Sequence, residues 1–155
     1  MNKRIFLMLR LMFIRSSTKR ADYLRKKHLF KFYGERGSWH SFSRLPSEPE
    51  LISIGNNVHI AANVRFITHD IICDMFNRAG YNGHWKYYTD EIKVQDNVMI
   101  GADSIVMYGV TIGSNVIIAA GSVITKNIPD GEIWGGNPAK RIGLTAELAE
   151  RRKDK

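Results

Sequence analysis

The chain has 155 residues, with 23 Lys and Arg against 15 Asp and Glu and a formal net charge of +8. That length supports one domain with its own core. Its single cysteine, Cys73, excludes an intrachain disulfide and a thiolate zinc cluster, and it fits a reducing compartment.

The positive charge sits at the start: residues 1–45 hold twelve Lys or Arg against Asp22 and Glu35, and the rest is slightly acidic. A basic arm of this kind meets anionic lipid, nucleic acid or an acidic partner, or is simply a solvated helix face. The opening "MNKRIFLMLRLMFIR" is split by Arg10, shows no small-residue cleavage site and is too short to span a bilayer. It predicts an amphipathic helix, either packed on the body or lying on a membrane surface. "SSTKRADYLRKKHLF" predicts a second, strongly basic helix with Ser17 at its N-cap, broken by Gly34 and Gly37. "LPSEPE" at 45–50 reads as a turn, because Pro46 and Pro49 exclude regular helix.

From Ile54 a large apolar side chain returns every sixth residue. Ile54, Ile60 and Phe66 keep the beat, and after a gap so do Val94, Ile100, Val106, Ile112, Ile118 and Ile124. Two residues ahead of most beats stands a small or β-branched residue, as at Val58, Val64, Val98, Ser104, Val110, Val116 and Ser122. A period of six is neither a helix nor a simple strand. It suits a chain that runs straight, turns a corner and repeats, so that three flats close a triangular coil of eighteen residues. Stacked coils bury the beat residues in one column, each Ile or Val contributing about 1.5–3 kcal/mol against exposure. The residue directly after the beat, as at Gly101, Gly113 and Ala119, is expected to form the corner with its unusual backbone. "IICDMFNRAGYNGHWKYYTDEIK" interrupts the beat with an irregular inserted loop at about 71–91. Gly, Pro and Asn mark the exit in "IPDGEIWGGNPAKRIG", and "LTAELAERRKDK" predicts a short capping helix from Thr145.

Over about residues 38–143 these features resemble the hexapeptide-repeat acyltransferases. The likeness is carried by "ISIGNNVHIAANVRFITHD", by "VQDNVMIGADSIVMYGVTIGSNVIIAAGSVITKNIP" and by "IWGGNPAKRI". Within that family the chain is most similar to sugar O-acetyltransferases, including galactoside, maltose and capsule or lipopolysaccharide acetyltransferases. The resemblance implies an all-β solenoid, a left-handed parallel β-helix, and a homotrimer with active sites between subunits. Spacing alone does not give the hand, and the usual right-handed crossover argues against it. The expected organisation is a basic amphipathic helical arm at 1–37, a β-helix acyltransferase domain at 38–143 and a C-terminal helix at 144–155.

Candidate chemistry begins at "FITHDI", where the first block of repeats meets the inserted loop; long loops in compact domains are commonly functional. An imidazole there takes a proton from a hydroxyl near neutral pH, which makes His69 the candidate general base. The resemblance puts the family's catalytic histidine at the same place. Asp70, next in the chain, is the candidate orienting group, and His84 in "YNGHWKYY" a candidate for the acceptor pocket. His28 belongs to the basic arm, and His40 and His59 to the repeat surface. No histidine follows His84, so a three-histidine zinc site is not expected.

On the donor side, the resemblance makes "AAGSVITK" the acetyl-CoA stretch, pointing to Ala120 through its backbone and to Thr125 and Lys126. "GNPAKRI" offers Pro138 against the adenine and Lys140 or Arg141 for phosphate groups. Ala102 and Met99 stand where galactoside-type enzymes have a serine and an aromatic residue, so oxyanion stabilisation at Ala102 falls to backbone N–H. "SWHSFS" replaces an asparagine-bearing, sugar-contacting stretch, and the loop after His69 is longer, so sugar identity is not carried over.

The expected function is direct acetyl transfer from acetyl-CoA to a hydroxyl of a sugar or surface-polysaccharide precursor, in the cytoplasm, with no metal and no acyl-enzyme. The basic arm is a candidate for contact with the inner face of a membrane, since many such acceptors are lipid-linked, and a solvated helix face is its alternative. A small-molecule or antibiotic acceptor is the nearest alternative. A purely structural β-helix would not place "THD" at the loop start together with "GNPAKR" at the exit. The other alternative is a nucleic-acid-binding module built on "KRADYLRKKHLFKFYGER". Its Tyr23, Phe30, Phe32 and Tyr33 sit at spacings equally suited to packing, and no nucleic-acid partner is expected.

Overall fold

A computed structural model describes residues 3–40 and 45–153. Residues 41–44 fall outside it, and with them the second half of "SWHSFS", as do the outermost residues of the arm and of the C-terminal segment.

Two helices come first, α1 (Lys3–Phe13) and α2 (Ser17–Lys26). The N-cap of α2 is Ser16 rather than Ser17, its hydroxyl accepting the Lys19 N–H at 3.4 Å. β1 (Phe32–Tyr33) and β2 (Ser38–Trp39) follow, so strand pairing begins inside the stretch expected to be arm. A 3-10 turn, Pro49–Leu51, leads into β3 (Ile52–Ile54), β4 (His59–Ile60) and β5 (Arg65–Phe66). The insertion holds β6 (His69–Asp70), α3 (Ile72–Arg78) and β7 (Tyr88–Thr89), so it is more ordered than its sequence suggests. Two further turns of the coil are β8 (Ile92–Val94), β9 (Met99–Ile100) and β10 (Ile105–Val106), then β11 (Thr111–Ile112), β12 (Ile117–Ile118) and β13 (Val123–Ile124). β14 (Glu132–Gly136) and β15 (Ala139–Leu144) form an antiparallel hairpin. α4 (Thr145–Arg152) starts at the residue expected.

The strands of the coil stack as three parallel sheets. The first is β1-β3-β8-β11, and the third is β5-β10-β13. The second runs β2-β4-β9-β12-β14, with β15 antiparallel at its edge. In uninterrupted turns the partners are eighteen residues apart: Val94 with Ile112, Ile100 with Ile118, Val106 with Ile124. Across the insertion they are forty apart, Ile54 with Val94 and Phe66 with Val106. The insertion therefore leaves and rejoins at one edge of the prism, between the third and first sheets, without changing the phase.

Every beat residue from Ile54 to Ile124 is buried, as are the residues two ahead of each later beat. Among the latter, Ser104 and Ser122 both donate their hydroxyls to the Ala119 carbonyl, at 3.1 and 2.6 Å, so the small polar fillers are satisfied.

The corners differ from expectation. The left-handed backbone falls on the third residue after the beat, at Asn57, Asn63, Asn97, Asp103 and Asn115, with φ between 53° and 60°, and at Gly109 and Gly121. Short polar side chains and glycine tolerate that region best. Gly101 and Gly113, directly after the beat, have ordinary φ and a different reason to be glycine. A Cβ at Gly101 would run into the backbone at Ala119 and Ala120, and one at Gly113 into Asp130. These positions are where successive coils press together.

The arm is docked on the body. Leu11, Ala21 and Leu24 share a core with Phe30, Tyr33 and Trp39, and Trp39 stacks on Phe66 to join the column. Phe30 and Tyr33 are thus core residues, not a platform for bases. Buried Arg20 fastens the two parts, donating Nε to the Trp39 carbonyl at 2.9 Å, Nη1 to the carbonyls of Ile14 and Arg15, and Nη2 to that of His40. α1 turns Leu7 and Leu11 inward and leaves Ile5, Phe6, Leu9, Met12 and Phe13 exposed. No helix among the described residues is long and apolar enough to cross a membrane.

Ile118→Ala should lower the urea-unfolding free energy by about 2–5 kcal/mol, the cost of a cavity in a close-packed column. Ile142→Ala, on an exposed position of β15, should change it by less than about 0.5 kcal/mol.

Candidate functional site

The site grows out of the edge where the coil is interrupted. After Phe66 the chain does not cross to the first sheet but leaves through Thr68 and pairs, as β6, with β7. Thr68 is buried, gives its hydroxyl to the Glu48 carboxylate, and accepts the Asp90 N–H on its carbonyl at 3.0 Å. His69 stands next to it with 27% of its side chain exposed. Its Nδ1 lies 2.9 Å from Glu48 Oε2, and the Tyr87 ring lies 5.2 Å away, centroid to centroid. An ionised carboxylate only accepts, so Nδ1 carries a hydrogen, and in the neutral ring Nε2 is then the nitrogen with the lone pair. Among the described residues nothing bonds Nε2. Such a ring is oriented and still reachable at its outward nitrogen.

Glu48 therefore occupies the place expected of Asp70. In β6 adjacent side chains point to opposite faces, and Asp70 faces away from the imidazole. Its carboxylate accepts the Tyr108 hydroxyl at 2.9 Å and the Ile72 N–H at 3.1 Å. That hydrogen bond is the main reason the Tyr108 phenol ionises above its ordinary range; desolvation and the Asp70 charge add to it. Tyr87 is also raised, first by desolvation and then by the Glu48 charge. Nothing in "LPSEPE" read as a turn marks Glu48. The signal lies in phase: six residues before Ile54, the beat falls on this carboxylate.

The other candidates fall into three groups. His84 is exposed on the inserted segment. Thr125 and Lys126 are exposed on the same edge as His69, higher in the stack, since β13 pairs with β10 and β10 with β5. Ala102 and Ala120 lie on the opposite edge of the third sheet, one coil apart, with Pro138 following β14 at the same edge. Among the described residues neither the Ala102 nor the Ala120 N–H bonds a protein acceptor, so both remain available as backbone donors. Lys140 is exposed on β15, whereas Arg141 is held at 3.3 Å by Glu132, which also accepts the Trp134 indole N–H at 2.7 Å. A cleft of about 200 Å³ lined by Leu45, Ser47, Arg65 and Ile67 adjoins Glu48 and Thr68. A larger cavity of about 390 Å³ lies between α2 and β1 and holds none of the candidates. Among the described residues no three His, Cys, Asp or Glu side chains gather as a metal cluster.

The family model described as "Bacterial transferase hexapeptide (six repeats)" matches residues 91–126. Protein CapG of Staphylococcus aureus is 46% identical over 108 residues, covering 64% of this chain and 56% of CapG. YvoF of Bacillus subtilis (strain 168), provisionally named an acetyltransferase, is 33% identical over 105 residues, 68% of this chain and 55% of YvoF. The chain thus spans little more than half the length of these relatives. Among solved structures, a maltose O-acetyltransferase from Clostridium difficile 630 superposes with a TM-score of 0.64 at 29% identity, covering 89% of this chain and 82% of that one.

Asp70→Asn removes the carboxylate that favours the neutral phenol. The Tyr108 titration should then move down toward the ordinary tyrosine range, read by phenolate absorbance against pH with Tyr108→Phe to assign the signal. An unmoved midpoint would remove Asp70 as the cause and leave desolvation and Tyr88.

Proposed function

We propose that this chain, which belongs to the hexapeptide-repeat transferases, moves an acetyl group from acetyl-CoA to a hydroxyl of a sugar or surface-polysaccharide precursor. The observation that carries the reading is the His69 ring, held through Nδ1 by Glu48 at the mouth of the insertion. The likeness to a maltose O-acetyltransferase supports a sugar hydroxyl as acceptor.

Acetyl-CoA supplies an acyl carbon activated as a thioester. His69 Nε2 takes the hydroxyl proton as the acceptor oxygen bonds to that carbon, and Glu48 stabilises the resulting imidazolium. A backbone N–H at Ala102 or Ala120 meets the charge that develops on the carbonyl oxygen. His69 then returns the proton to sulfur as the C–S bond breaks, so no acyl-enzyme is needed. Pro138, Lys140, Thr125 and Lys126 are the residues we assign to the body of the donor, with Arg141 already paired to Glu132.

His69 and the Ala102–Ala120 pair flank the third sheet on opposite edges. We infer that a complete site joins the His69 edge of one copy to the Ala102 edge of another, in a homotrimer of left-handed coils. The exposed apolar side chains of α1, set among the basic residues of the arm, support contact with an anionic membrane surface on the cytoplasmic side.

His69→Ala should lower kcat/KM by about 10²–10⁴-fold, with Glu48→Gln giving a smaller loss and calorimetric CoA affinity unchanged in both. Thiol release against a saccharide panel reads the result. Normal turnover without His69 removes the base, and turnover only with non-sugar hydroxyls replaces the acceptor class. For the arm, Phe6→Ser with Phe13→Ser should abolish pelleting with anionic vesicles while leaving the fold intact. Truncation is the wrong test, because Leu24 is core.

A further inference from the structure

The insertion carries exposed aromatic surface that the proton-transfer chemistry does not use. Tyr81, Trp85 and Tyr87 are 57%, 41% and 51% exposed within seven residues of chain. Apolar rings left in water are unfavourable unless something covers them. These rings are also braced. Asn77 on α3 donates Nδ2 to the Trp85 carbonyl at 2.8 Å and accepts the Trp85 N–H at 3.0 Å. Phe76, its neighbour on α3, packs against Tyr81 and Trp85 with centroids 5.0 and 4.9 Å away. Two residues beyond Trp85, Tyr87 lies against the His69 ring. One end of the row therefore touches the proton-accepting group, and the other is fixed by a helix.

We propose that Tyr87 and Trp85 form a stacking shelf for a pyranose ring of the acceptor, which lies face down on the aromatics with one hydroxyl at His69. One face of a pyranose presents C–H groups, weakly positive, and matches the electron-rich face of an indole or phenol. Its hydroxyls project around the rim, where exposed His84 and Lys86 offer donors. An open shelf holds a ring that is part of a larger saccharide, whereas a small drug-like acceptor is normally engulfed in a pocket. The inference rests on His69 serving as base for a sugar hydroxyl, and it adds the residues that hold that sugar.

Trp39 is buried and Trp134 partly so, which makes Trp85 the indole whose emission answers to a ligand on the insertion. The probes are neutral mono- and disaccharides, maltose among them. Saccharide should shift the emission that is lost in Trp85→Phe. Trp85→Ala should raise the saccharide KM by about tenfold, with kcat and the acetyl-CoA KM nearly unchanged, and Trp85→Phe should recover most of that loss. A panel in which no saccharide moves Trp85 emission overturns the shelf. So does an unchanged KM in Trp85→Ala, or a change of oligomeric state there, which would make the surface an interface between copies. Thioester consumption with saccharide at unchanged KM sinks the shelf and leaves the transferase standing. A Trp85 shift without thioester consumption does the reverse.

Discussion

Each turn of this coil buries its aliphatic side chains only if the next turn lies in register above it. Ile100 is covered because Ile118 sits over it, and Val94 because Ile112 does. In a strand the side chains alternate between faces, so a slip of one residue would turn the whole apolar set outward. The corners keep the count. Asn97, Asp103, Gly109, Asn115 and Gly121 take the left-handed backbone at intervals of six, and the glycines after the beat let adjoining turns approach. No turn is stable alone, so the stack behaves as one cooperative unit.

That register also places the candidate site. Because Phe66 pairs with Val106, Thr68 and Tyr108 come level with each other on one edge. Three successive turns then each deliver a polar group to that edge. Glu48 arrives from below, Thr68 and His69 at the break, and Tyr108 from above. The first two meet at the imidazole and the last at Asp70. The imidazole is thus oriented by Glu48 at the edge of the column and by β6 and Tyr87 of the insertion beside it, which together give the ring one direction.

Much of this was legible in the sequence, for reasons that can be stated. The beat at Ile54 through Ile124 reports burial directly, and an interruption after Phe66 marks where the chain must leave the prism. The corner was misplaced because glycine has two uses here. At Gly109 it supplies positive φ, and at Gly101 it supplies the lack of a Cβ; sequence does not separate the two. Asn and Asp at the third position were the better guide. Asp70 drew attention by adjacency, yet adjacency in a strand separates side chains, while Glu48 is distant in sequence and near in the stack. A carboxylate on a beat that elsewhere is apolar breaks a local rule, and such breaks gather at functional sites. The burial of Arg20 against four carbonyl groups had no counterpart in pattern, since it depends on where α2 meets β2.

The same constraint divides the labour of the chain. Glu48 at one edge of the third sheet, and Ala102 and Ala120 at the other, stand where the column dictates. The segment between Asp70 and Tyr88 is under no such rule, because the pairing on either side of it is unchanged whether the gap is eighteen or forty residues. It has its own bracing in Asn77 and Phe76 and contributes nothing to the column. Most residues there can change without disturbing the column. If acyl transfer is the activity, acceptor preference is the property free to vary on this insertion, and it does so within touching distance of the histidine through Tyr87.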